Sequence, residues 1–79
     1  MTASVFTKEY ERFRRLLQKC RVDKGLTQEQ VAVQLGKPQS FVSKYESGER
    51  RLDIIEFLEV AKALEIEPAS FLTKFQGKE

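Results

Sequence analysis

Apolar residues in this chain recur at steps of three and four, and nowhere do they alternate with polar ones over the length of a strand. Phe6, Tyr10, Phe13, Leu17 and Cys20 make the first such stripe, and Gly25 stands where a helix built on it would stop. Thr27 followed three residues on by Gln30 is a capping box that starts a second helix; Leu26 is placed to staple onto Val31, and Leu35 and Gly36 close the run. Pro38 suits the first turn of a third helix, about 38–47, which Gly48 ends in the left-handed conformation open to a residue without a Cβ. Asp53 with Glu56 repeats the capping box, Leu52 and Phe57 supply its staple, and Ile54, Leu58, Ala61 and Leu64 predict the buried stripe of a fourth helix. A last short helix starts near Pro68 and carries Phe71, Leu72 and Phe75 before a frayed QGKE tail. The pattern predicts an all-α, compact five-helix bundle with short loops, one domain over 1–79, without repeat or linker.

Composition narrows the chemistry. A chain of 79 residues buries a modest core, and with one cysteine and no histidine it has neither a disulfide framework nor an ordinary zinc site. No metal, cofactor or small-molecule ligand is predicted. The N-terminal MTASVFTKEYERFRR lacks the apolar run of a secretory signal, and no segment is apolar enough to cross a bilayer, so the expected location is cytoplasmic, with no membrane partner. The net charge of +2 is unevenly placed: residues 1–52 carry eleven basic side chains against six acidic, and residues 53–79 three against six. One end suits a polyanion, although a surface charged for solubility would look the same by count alone. Placement has to decide.

Helix, short glycine-containing turn, helix, over about 27–48, is a helix-turn-helix arrangement, whose second helix can lie in the major groove of DNA. At an advance of about 100° per residue, Gln39, Ser43, Ser47, Ser40 and Lys44 fall at about 0°, 40°, 80°, 100° and 140°. Phe41, Tyr45 and Val42 fall at about 200°, 240° and 300°, with Glu46 at the border near 340°. Half of the helix is therefore polar and free of acid. Glutamine can bond adenine through N6 and N7, lysine can donate to guanine, and serine to several base edges. Any surface helix has a polar outer face, so the flanks add weight: Gln28 and the exposed N–H groups at the start of the second helix can meet a phosphate, and Arg50 and Arg51 a neighbouring one.

From about Leu16 to Phe71 the sequence resembles the helix-turn-helix domain of Cro and the lambda-type phage repressors, through KGLTQEQVA, LGKPQSFVSKYESGER and LEVAKALEI in the family's order and spacing. The resemblance implies base contacts from Gln39, Ser40, Ser43 and Lys44, and phosphate contacts from Gln28, Arg50 and Arg51; Ser47, on the polar face of the same helix, is expected to meet a phosphate as well. It also implies that Arg21 and Glu46 form a partly buried ion pair tying the first helix to the end of the third, against a phosphate role for Arg21.

Cys20 lies on a buried stripe with no base to activate it, and reads as core. Phe41 borders the polar face, where it either packs or reaches a thymine methyl. Phe71, Leu72 and Phe75 can close the core, and a terminal helix this apolar also suits a dimer contact, over about 60–76. One recognition helix reads few base pairs, so a homodimer on a palindromic operator in double-stranded DNA is expected. The function predicted is that of a sequence-specific transcriptional regulator, Cro-like or like the controllers of restriction-modification systems, with no catalytic residues and so not an enzyme. The alternative is an antitoxin or other protein-interaction module, against which the charge of Lys44, Arg50 and Arg51 argues.

Overall fold

In the computed structural model, which describes residues 7–77, the chain runs through α1 (Lys8–Asp23), α2 (Gln28–Leu35), α3 (Gln39–Ser47), α4 (Ile54–Leu64) and α5 (Pro68–Phe75), with no strand among those residues. Phe6, and Lys78 and Glu79 of the tail, lie outside them.

Every helix except α3 begins where a side chain satisfies its first N–H groups. Both expected capping boxes form: Thr27 Oγ1 accepts from the Gln30 N–H while Gln30 returns a carboxamide oxygen to Thr27, and Asp53 and Glu56 do the same for α4. Thr7 caps α1 and the Glu67 carboxylate caps α5 by accepting from Ala69 and Ser70. Pro38 stands one residue outside α3, as its extended cap, rather than in the first turn. Gln76 continues from α5, its N–H donating to the Leu72 carbonyl.

The core is drawn from every helix: Leu17 of α1, Val31 of α2, Val42 and Tyr45 of α3, Val60 and Leu64 of α4, and Phe71 of α5. Phe13 ties these layers together, its ring within 5.8 Å of those of Tyr10, Phe57, Phe71 and Phe75. At nine residues α3 is too short to hold its shape alone. Burial of Val42 and Tyr45, each worth about 1.5–3 kcal/mol, fixes both the helix and its outward face.

The expected stripe of α4 is corrected. Ala61 and Leu64 are buried, but Ile54 is 62% and Leu58 43% exposed, and the inward stripe is Phe57, Val60, Ala61 and Leu64. Two apolar stripes lie side by side on this helix, and the one that carries Phe57 turns toward Phe13 and Phe71 because it buries a larger ring there.

Two glycines hold α3 at its ends. Gly36 (φ +68°) closes α2 and opens the three-residue turn to Gln39, and Gly48 (φ +90°) closes α3 beneath the Arg14 side chain, whose Nη1 donates to the Glu46 carbonyl at 2.8 Å. A Cβ at Gly36 would meet open space, whereas one at Gly48 would lie 2.8 Å from Arg14 Nε. Gly36→Ala is expected to cost only the left-handed backbone, about 1–2 kcal/mol. Gly48→Ala adds the displacement of Arg14 and loss of its bond, about 1 kcal/mol more. Thermal unfolding of the two variants side by side checks the order; equal losses would show that Arg14 yields without cost.

Candidate nucleic-acid interface

The face of α3 turned away from the core is the one the sequence marks. Gln39, Ser40, Lys44 and Ser47 are exposed, Ser43 is half-buried, and Val42, Tyr45 and Glu46 point inward. Burial, then the neighbouring Glu46 charge, pushes the Tyr45 phenol well above its ordinary range, so it stays neutral among the core side chains. Phe41 packs: its ring is half-buried, edge-on to Tyr45 at 5.7 Å, with Lys37 and Arg50 over its faces. Ser47 turns its hydroxyl back toward the Lys44 carbonyl at 3.2 Å.

Behind this face runs a chain of side-chain bonds that starts in the interior. Glu46, 5% exposed, receives Arg21 Nε at 2.7 Å and Nη2 at 3.0 Å on its two carboxylate oxygens, the bidentate pairing expected of these residues. Arg21 Nη1 donates to the Leu26 carbonyl, and hydrogen bonding to Glu46 raises the guanidinium pKa further. Gln28 then donates Nε2 to Glu46 Oε1 at 2.9 Å, and Gln39 donates Nε2 to Gln28 Oε1 at 2.6 Å. The carboxylate sets the direction of the whole chain. It can only accept, so Gln28 must present its amide nitrogen inward and its oxygen outward, and Gln39 must answer with nitrogen. Gln39 is left with one free N–H and a free carbonyl oxygen. A shallow depression lined by Arg21, Thr27, Gln28 and Gln39 opens beside these groups at the start of α2.

The loop from Gly48 to Asp53 is held from three sides. The Tyr10 hydroxyl accepts from the Leu52 N–H at 3.1 Å and donates to the Arg50 carbonyl at 3.3 Å, while the N–H groups of Glu49 and Arg50 donate to the Lys44 carbonyl. Arg51 lies over the Tyr10 ring at 4.4 Å. Arg50 forms a two-pronged bridge to Glu56, at 3.0 and 2.6 Å, and stacks on Phe41. Hydrogen bonding to Arg50, aided by the Asp53 N–H, holds the Glu56 carboxyl at about 2, so it is charged whenever the protein is folded near neutrality.

Gln39, Ser40, Ser43 and Lys44 are thus gathered on one surface, flanked by Gln28 on one side and Arg50 and Arg51 on the other. The model of the helix-turn-helix family matches residues 17–71, which contain all of them. The chain belongs to the helix-turn-helix family. It is accordingly a DNA-binding regulatory protein and not an enzyme.

Solved structures of similar fold fit within this family. An XRE-family-like protein from Pseudomonas syringae pv. tomato str. DC3000 is 42% identical, over 87% of this chain and 84% of that one, with a TM-score of 0.84. The restriction-modification controller protein C.AhdI from Aeromonas hydrophila is 37% identical over 76% and 91% of the two chains, with a TM-score of 0.70. The controller protein C.Esp1396I, solved as a tetramer with its natural 35-base-pair operator, shares the fold at 24% identity and a TM-score of 0.83, over 91% and 95%. No curated protein matches the sequence.

Within this helix-turn-helix site, three supporting residues have no warning in the sequence pattern. Tyr10 reads there as core, yet its hydroxyl organises the loop; Arg14 carries no assignment there, yet it caps α3; Glu56 reads as a helix cap, yet it also holds Arg50. Cys20 is half-buried against the core, and burial raises its thiol pKa. Of the expected dimer residues, Phe71 is enclosed in the core and Phe75 is half-covered under Arg12, while Leu72 is exposed. Among the described residues no helix is long and apolar enough to cross a membrane.

Proposed function

We propose that this helix-turn-helix protein is a sequence-specific transcriptional regulator that binds a palindromic operator as a homodimer, with α3 in the major groove, acting in the cytoplasm as a single domain. The observation that carries the reading is the acid-free face of α3 with the Gln39 amide held from behind. A surface helix selected for solubility has no need of a bonded chain that fixes one outward amide. Gln39, Ser40, Ser43 and Lys44 read bases; Gln28, through the N–H groups at its helix start, and Ser47, Arg50 and Arg51 meet phosphates. The similarity to C.AhdI, a controller protein, and the operator complex of C.Esp1396I support the same role here.

The dimer seam we infer keeps α5 but exchanges the end of α4, expected from the sequence within about 60–76, for its first half, because Val60, Ala61, Leu64 and Phe71 are spent in the core. Ile54 and Ile55, both 62% exposed, and Leu58 share one side of α4, and Leu72, 39% exposed, is the outward apolar residue of α5. Apolar side chains left out of the core are what a self-complementary contact buries. Selection of bound sequences from a randomised duplex pool, with wild-type protein beside Leu58→Asp, tests both parts. Wild type is expected to sediment as a dimer and enrich a palindrome. The variant is expected to be monomeric and, having lost one half-site, to bind that palindrome more weakly by about tenfold or more, the equivalent of about 1.4 kcal/mol. No enrichment by wild type at moderate salt would turn the reading toward a protein-interaction module.

A further inference from the structure

Glu56 is a carboxylate of α4 placed against the basic loop, where it would repel a phosphate. As the third residue of α4 it accepts the Asp53 N–H at 3.0 Å, so its position is set by the helix start and not by Arg50. Arg50 comes to it. Nη1 and Nη2 of Arg50 donate to Glu56, Nη1 also donates to the Arg51 carbonyl at 3.0 Å, and the cation rests 4.8 Å above the Phe41 ring on the border of the recognition helix. The bridge nevertheless reaches solvent, with side chains 39% and 21% exposed, and a pair this accessible opens at little cost.

We propose that Glu56 is a specificity-determining residue that competes with DNA phosphate for the Arg50 guanidinium, withholding that arginine from arbitrary DNA. The inference rests on the DNA-binding reading above. While clasped, Arg50 contributes no net charge to the surface, and an approaching phosphate meets the Glu56 carboxylate instead. Non-specific binding is driven almost wholly by phosphate contacts, so it loses the most from this arrangement. Opening the clasp costs the same on any sequence. It is repaid only when α3 is seated deeply enough to bring a phosphate to Arg50.

The test is binding of a short random-sequence duplex across a series of salt concentrations. Glu56→Gln keeps an acceptor for the Asp53 N–H and removes the charge that holds Arg50; Glu59→Gln, at an exposed acid of the same helix, controls for the change in net charge. Glu56→Gln is expected to bind the duplex several-fold tighter, with the slope of log K against log salt steeper by about 0.9, one added phosphate contact. Glu59→Gln should leave the slope unchanged, and the double variant Arg50→Gln, Glu56→Gln should lose the gain. An unchanged slope, weaker binding by Glu56→Gln, or a gain that survives without Arg50 would overturn the proposal while leaving DNA binding intact. Failure of wild type to show any salt-dependent binding would remove the underlying reading and the inference with it.

Discussion

Glu46→Ala is expected to lower stability by about 3–5 kcal/mol, because it leaves the Arg21 guanidinium charged in a site that is almost closed to water. Arg21 is 12% and Glu46 3% exposed in their side chains, so solvent cannot take over the lost bonds. For a domain of this size each kcal/mol moves the melting temperature by about 4–8 °C, so a fall of about 12 °C or more should appear in thermal unfolding. A loss within a degree or two would mean that the pair is not what joins α1 to α3.

Stability and recognition can then be separated at this position. Replacing both partners, as Arg21→Met with Glu46→Leu, removes the stranded charge and restores apolar packing, which for buried pairs is often neutral or stabilising. The double variant is expected to recover most of the melting temperature. It should not recover sequence discrimination, because Gln28 loses the acceptor that orients it, and Gln39 loses its anchor in turn. Recovery of both would reduce Glu46 to a structural residue.

How much of this was readable in the sequence depended on how local each interaction is. The capping boxes Thr27 with Gln30 and Asp53 with Glu56 join residues three apart, so the pattern reports them directly. The face of α3 was legible because only one side of that helix is apolar. On α4 the same reasoning failed: Ile54 and Leu58 repeat at helical spacing as well as Phe57 and Val60 do, and periodicity does not say which stripe meets the rings of α1 and α5. Bonds from a polar side chain to a distant part of the chain, backbone or side chain, leave no periodic trace. Tyr10 with Arg50 and Arg14 with Glu46 span forty and thirty-two residues, and the pairing of Arg21 with Glu46 was available only through the family resemblance. Glu56 hid behind a role already assigned, since its capping function accounted for it before Arg50 was placed.

Gln39→Ala is expected to abolish discrimination at one base pair of each half-site while leaving non-specific binding unchanged. Gln28 occupies one of the two amide hydrogens of Gln39, which leaves one donor and the carbonyl oxygen facing outward. That pair matches adenine, which offers N7 as acceptor and N6 as donor, and a bidentate contact of this kind is worth about 1–3 kcal/mol, or about five- to 150-fold between the right base and a wrong one. Gln39 carries no charge, so affinity for random duplex and its salt slope should stay at wild-type values. Lys44→Ala is expected to differ: it removes a base contact and a cation together, so it weakens random duplex as well as the preferred site. Gln28→Ala supplies the decisive comparison. It keeps Gln39 and frees its amide, so partial loss of adenine preference would mean that the bonded chain from Glu46 orients the reader, whereas full preference would mean that Gln39 reads unaided and that the buried chain serves the fold alone.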